Sequence, residues 1–300
     1  MEIVLKTNNL TKKFGHKIVV NNVSMTINKG DIYGFIGKNG AGKTTFMKMV
    51  LSLTHKTSGE IELFGSANLK ENSKKIGSLI EAPGLYRNTT AYENMYRFSL
   101  VYGGDKKSIN ELLKLVGLSN VGKKKVKDFS LGMKQRLGIA IALLGNPEFL
   151  VLDEPINGLD PAGIKEVRDV ILKLNKEKGI TFLISSHLLD ELSKVVTKYG
   201  IINNGCLLEE VSSKDLIDRC KNKLVISTSN LNKTKELLKE IVNEKDIIIK
   251  DNEIELLSHV EEGEKINKFL VSHDIYANKI CPIFDSLEDY FIEKIGGIHE

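Results

Sequence analysis

Apolar positions in this 300-residue chain come in short blocks separated by polar and glycine-containing stretches. Residues 149–152 (Phe-Leu-Val-Leu) read as a short strand covered on both faces, and 32–36 and 181–184 are similar runs without a charged residue. From residue 1 to about 213 such runs alternate with helical patterns, the rhythm of an α/β layer architecture. Between about 86 and 146 the strand signal fades. There 90–102, 109–116 and 131–144 each read as a helix, which predicts a helical insertion within the α/β domain. Beyond Gly205 the chain carries more Lys, Asn and Ile and fewer glycines. Segments 224–228, 233–242, 247–250, 254–257, 261–272 and 274–280 predict a β-α-β-β-α-β order, that of a small α+β, ferredoxin-like module. A last helix over 287–295 places Leu287, Tyr290, Phe291 and Ile295 on one face. Core packing explains that face more simply than a ligand site. Two domains are therefore expected, 1–213 and an accessory C-terminal 214–300.

Composition narrows the class. Hydrophobic residues make up 41% and charged residues 27%, ordinary for a soluble globular chain, and a net charge of +4 is too small to argue for a nucleic-acid partner. No apolar stretch approaches the length of a membrane span, and the first residues lack the pattern of a secretion signal. Cys206, Cys220 and Cys281 are odd in number and have no metal-binding spacing, which fits a reducing compartment. Lys123, Lys124, Lys125 and Lys127 form the densest basic run; a solvated loop is the simpler reading, anionic lipid headgroups the alternative.

Chemistry enters with Gly37-Lys38-Asn39-Gly40-Ala41-Gly42-Lys43-Thr44, which matches the phosphate loop G-x-x-x-x-G-K-[ST]. It follows the apolar run 32–36 and precedes a helical pattern from Thr45, the strand-loop-helix context such a loop needs. Gly37, Gly40 and Gly42 allow positive φ, so backbone N–H groups can ring a phosphate at a helix N-terminus. Lys43 is expected on the β- and γ-phosphates and Thr44 on Mg²⁺, with Asn39, Ala41 and Thr45 completing the binding residues. Asp153 and Glu154 follow the buried run 149–152, at the end of a strand where open parallel sheets bind ligands. Asp153 is the expected metal holder and Glu154 the general base for an attacking water.

Taken in order, the phosphate loop, Ser130-Leu131-Gly132-Met133-Lys134-Gln135-Arg136 at a helix start, the acid pair and the downstream His187 resemble the nucleotide-binding subunit of ABC transporters over residues 1 to about 213. The resemblance implies a P-loop ABC-type ATPase using ATP and Mg²⁺. Two copies would meet head to tail, each ATP held between the phosphate loop of one and the signature helix of the other. Ser130 and the backbone at Gly132 would face the γ-phosphate bound by the second copy. Asp160, in Asn157-Gly158-Leu159-Asp160, would link the two sites, His187 would contact the γ-phosphate and orient Glu154, and Phe14 would stack on adenine, an ordinary core phenylalanine being the alternative. Separate integral membrane permease subunits would hold the protein at the cytoplasmic face of the cell membrane.

Two positions depart from the common pattern. Glu81 stands where most members have glutamine, keeping an acceptor for Mg²⁺ or water but losing an amide donor; it is expected in the catalytic and metal set. The signature reads Phe-Ser-Leu-Gly-Met over 129–133, with Leu131 and Met133 at unusual places. Together with the ending 286–291, these features resemble the bacitracin-resistance and lantibiotic-immunity branch, whose members export antimicrobial peptides. A regulatory GTPase is excluded because its guanine-reading look-alike, Asn28-Lys29-Gly30-Asp31, precedes the phosphate loop. The remaining alternative, a soluble ABC ATPase acting on DNA or ribosomes, usually carries a coiled-coil insertion or tandem ATPase domains, and neither is found here.

Overall fold

A computed structural model describes residues 2–220, 222–250, 252–283 and 287–295. The chain forms two compact units, Met1–Ser213 and Lys214–Glu300. In the first, the strands are β1 (Ile3–Phe14), β2 (Lys17–Asn28), β3 (Ile32–Ile36), β4 (Ser58–Leu63), β5 (Ile76–Leu79), β6 (Phe149–Asp153), β7 (Thr181–Ser186), β8 (Lys198–Asn203) and β9 (Cys206–Ser212). The helices are α1 (Lys43–Val50), α2 (Ala91–Tyr102), α3 (Lys106–Leu115), α4 (Leu131–Ala142), α5 (Pro161–Lys178) and α6 (Leu189–Ser193); α7 (Ser213–Arg219) begins at the boundary.

Among the described residues β5-β6-β7-β3-β8-β9 form one sheet, parallel except where β9 returns beside β8, and β2-β1-β4 form a separate antiparallel sheet. Every residue of β3, β6 and β7 is buried, as expected of strands covered on both faces. A single core joins Leu5, Val23 and Ile61 of the antiparallel sheet to Phe46 and Met49 of α1 and to Phe35 and Val151 of the parallel one. The helix that follows the glycine loop is thereby fixed between two sheets. Phe35 and Phe46 seal this junction with ring centroids 5.0 Å apart, a contact of the kind worth about 0.5–1.5 kcal/mol beyond burial.

The helical insertion is set by its caps. Thr90 closes a capping box with Glu93 on α2, and Asp105 does the same with Ser108 on α3. The second box starts α3 at Lys106, three residues before the position its apolar periodicity indicates, because the capping residues are polar and contribute nothing to that periodicity. Hydrogen bonds from the Thr90 N–H and hydroxyl hold the Glu93 carboxyl below its usual range, and those from the Ser108 N–H and hydroxyl do so for Asp105. Both carboxylates therefore favour the folded state fully above their unfolded pKa values of about 4. That contribution is lost as pH falls through their lower folded values. The urea midpoint of the protein is expected to drop over this acidic window, and to drop less in Glu93→Gln.

In the second unit β10 (Lys223–Thr228), α8 (Leu231–Leu238), β11 (Ile247–Lys250), β12 (Glu253–Leu256), α9 (Gly263–Val271) and β13 (Ala277–Ile283) follow one another, with α10 (Leu287–Lys294) last. The sheet order is β11-β12-β10-β13 and each neighbouring pair is antiparallel, the arrangement of a split β-α-β, ferredoxin-like module. Its own core includes Leu224, Ile226, Leu238, Ile254 and Leu270. Phe291 and Ile295 are buried. Ser286, the first residue of the 286–291 ending, lies outside the described residues.

Candidate nucleotide site

Strand register assembles the site. β6, β7 and β3 are consecutive parallel neighbours, with Asp153 opposite Ser185 and Ile36 opposite Ser186. The chain therefore leaves all three strands along one edge: into the glycine loop after Ile36, into Glu154 after Asp153 and into His187 after Ser186. This is the carboxyl edge, where open α/β sheets bind ligands.

The loop is wedged against its own scaffold. Gly42, with φ 106°, caps α1, and a Cβ there would stand 2.5 Å from the Val19 carbonyl oxygen. A Cβ on Gly37 would meet the Ile202 carbonyl oxygen, also at 2.5 Å. Ala41 is buried and its carbonyl accepts from the Gly205 N–H at 3.0 Å, while Asn39 and Gly40 are exposed and Thr45 is half-buried in α1. Only a backbone without side chains at Gly37 and Gly42 can follow this path, which leaves amide donors at the start of α1 for an anion.

Lys43 is 5% exposed and donates to the carbonyls of Gly37 at 2.7 Å and Lys38 at 3.3 Å. Thr44 Oγ1 donates to Asp153 Oδ2 at 2.8 Å. The other carboxylate oxygen of Asp153 accepts from Ser185 Oγ at 2.5 Å, and the same Oγ accepts the Glu154 N–H at 2.9 Å. Glu154 itself has φ 48°, a left-handed conformation that side-chain-bearing residues rarely hold without support. Its Oε2 lies 2.8 Å from His187 Nδ1. Its Oε1 is buried 3.2 Å from Lys43 Nζ, near enough for charge attraction but without hydrogen-bond geometry. A buried carboxylate oxygen short of a donor, beside the loop lysine, fits a site completed by a polar group such as water.

Three other expected residues gather elsewhere. Ser130 caps α4 by accepting the Met133 N–H at 3.2 Å, and Asp160 caps α5 by accepting the Gly163 N–H at 3.1 Å. A Cβ on Gly132 would lie 3.5 Å from Gly163 Cα, so the two helix starts approach closely, and Arg136 ties them further through Glu166 at 2.9 Å. Among the described residues these contacts bind α4 to α5 and leave Ser130 and Leu131 exposed.

Phe14 is 52% exposed beside the β1–β2 turn, with Lys12 Nζ 4.5 Å from its ring centroid. It is no core residue. Glu81, also in a left-handed conformation at φ 61°, is 65% exposed and pairs with Lys48 of α1 at 2.6 Å. The structure thus brings Gly37, Lys43, Thr44, Asp153, Glu154 and His187 together, and places Glu81 on a neighbouring lysine.

Ser185 and Lys48 escape sequence reasoning. Lys48 looks like any solvent-facing helix lysine, and its partner lies 33 residues away. Ser185 had one signal, a pair of serines closing a run that is otherwise apolar.

Fold, loop and acid pair define a P-loop nucleoside triphosphatase. Comparison with known proteins refines this. The ABC transporter family profile matches residues 20–157. The chain is 47% identical over 302 residues to the bacitracin transport ATP-binding protein BcrA of Bacillus licheniformis, covering 99% of each, and 48% identical over 207 residues to the lantibiotic transport ATP-binding protein SrtF of Streptococcus pyogenes, covering 69% of this chain and 90% of that one. Among solved structures, a dimeric ATP-binding cassette in a post-hydrolysis state with ADP and Pi superposes with a TM-score of 0.62 at 26% identity, over 70% of this chain and 98% of the other. The chain belongs to the ATP-binding subunits of the ABC transporter family and is an ATPase. No helix among its described residues is long and apolar enough to cross a membrane.

Proposed function

We propose that this ATPase powers an exporter giving resistance or immunity to antimicrobial peptides of the bacitracin or lantibiotic type. The observation that carries the reading is likeness over 99% of the length of a bacitracin transport protein, second unit included. In this reading the protein works as an ATP-sandwich dimer of two copies, held at the cytoplasmic face of the membrane by separate permease subunits. A groove of about 280 Å³ beside Glu81, lined by Leu79, Pro83, Phe98, Tyr102 and Ile141, is a suitable seat for a permease segment.

Each residue has a task. Phe14 stacks on adenine, and the loop from Gly37 through Thr45 holds the phosphates, with Lys43 exchanging its carbonyl partners for phosphate oxygens. Thr44 and Asp153 offer two hard oxygens 2.8 Å apart, a donor set that would hold Mg²⁺, whose charge would offset that of the phosphates. Glu154 takes the proton of the attacking water and His187 keeps that carboxylate in place. Ser130 and Gly132 of one copy complete the phosphate site of the other, and Asp160 connects the two. Glu81, paired with Lys48 through one carboxylate oxygen, is the further acceptor for metal or water.

Copurification tests the assembly: a permease subunit should be retained with the ATPase, and the complex should protect a susceptible host against bacitracin or a lantibiotic. An ATPase that purifies without any membrane subunit and joins none on co-expression contradicts the reading. Glu81→Gln addresses coupling. The exposed ion pair it removes is worth about 0–1 kcal/mol, so the melting temperature should stay within about 3 °C while peptide resistance falls. Unchanged resistance would reduce Glu81 to a space-filling residue.

A further inference from the structure

We infer that Ser185 is a positioning residue for ATP hydrolysis, acting through the acid pair. Its hydroxyl is fully buried and joins two neighbouring strands at the point where the chemistry emerges. As a donor it holds Asp153 Oδ1 at 2.5 Å, leaving Oδ2 for Thr44; as an acceptor it holds the Glu154 N–H at 2.9 Å. A hydroxyl has one proton and two lone pairs, so one oxygen serves both residues. The second bond matters because Glu154 sits at φ 48°. Without an acceptor for its N–H, the peptide between Asp153 and Glu154 is free to turn towards an ordinary conformation, and the carboxylate would leave both His187 and Lys43. The chain Thr44–Asp153–Ser185–Glu154 thus sets the angle between the residue assigned to the metal and the residue assigned to the base.

The inference rests on the proposed role of Glu154 as base, and the experiment separates the two. ATPase kinetics and binding of a fluorescent ATP analogue are measured on the full-length protein for Ser185→Ala, Ser185→Thr, Glu154→Gln, the double variant Ser185→Ala/Glu154→Gln, and Thr181→Val. Thr181 is the control: it is a buried hydroxyl at the opposite end of β7, accepting the Gly30 N–H at 3.0 Å. Ser185→Ala should lower kcat about tenfold or more, the scale of a lost hydrogen bond near a charge, with KM and analogue affinity within about twofold. Ser185→Thr, which keeps the hydroxyl, should recover most of kcat. Because Ser185 acts through Glu154, adding Ser185→Ala to Glu154→Gln should slow residual turnover little further. Thr181→Val should lower stability without lowering kcat.

Wild-type kcat in Ser185→Ala, an equal loss in Thr181→Val, or full multiplicative losses in the double variant would overturn the inference. Unimpaired turnover in Glu154→Gln would instead remove the reading beneath it.

Discussion

Glu154→Gln is expected to keep ATP bound while turnover falls by about 10²–10⁴, the usual worth of a general base. The glutamine is nearly the same size and remains beside His187, so the geometry at the end of β6 is preserved. Its amide cannot take a proton from water. Loss of the negative charge 3.2 Å from Lys43 Nζ removes a competitor for that lysine, so nucleotide affinity should hold or rise. In the sandwich mechanism the variant then accumulates as an ATP-bound dimer, detectable by sedimentation velocity as a doubling of mass that requires ATP. Single-turnover kinetics should show the loss in the chemical step rather than in product release.

Gly42→Ala should have the larger structural effect. At φ 106° alanine is strained by about 1–3 kcal/mol, and its Cβ would press on the Val19 carbonyl oxygen, which is backbone within β2 and has no rotamer to escape into. The loop must shift away, carrying the start of α1 and Lys43 with it. Binding of ATP should weaken measurably and turnover should fall by about a hundredfold, since a misplacement of about 1 Å is enough to cost that much in rate. Melting temperature should fall by roughly 5 °C. Isothermal titration and thermal unfolding check affinity and stability; near-normal affinity would mean that the loop is not a rigid phosphate cradle.

Much of the ATPase unit was legible because a few residues carry most of its specification. The runs at 32–36 and 149–152 announce buried strands through unbroken apolar character, and each is followed at once by the residues of the site. Once both strands lie parallel on either side of β7, the meeting of Lys43, Asp153 and Glu154 follows from register. Helix starts were less legible: α3 begins on Asp105 and Ser108, whose reciprocal cap is a property of two side chains and not of periodicity. Long-range polar pairs were the least legible. The link from Ser185 to Asp153 depends on which strand lies beside β6, and the pair Lys48–Glu81 on how the chain after β5 passes α1. Phe14 was ambiguous in sequence because an aromatic residue at the end of a strand suits a core and a stacking surface equally; its exposure favours the latter.

ATP hydrolysis by this chain is proposed to power peptide resistance. The most direct measurement is the minimum inhibitory concentration of bacitracin and of a lantibiotic in a susceptible host that expresses the chain with its copurifying permease. Wild-type protein should raise it several-fold for at least one of the two peptides, and Glu154→Gln, present at the same level in the same complex, should leave it at the host value. No rise with the wild-type complex, or an equal rise with both, would contradict the account.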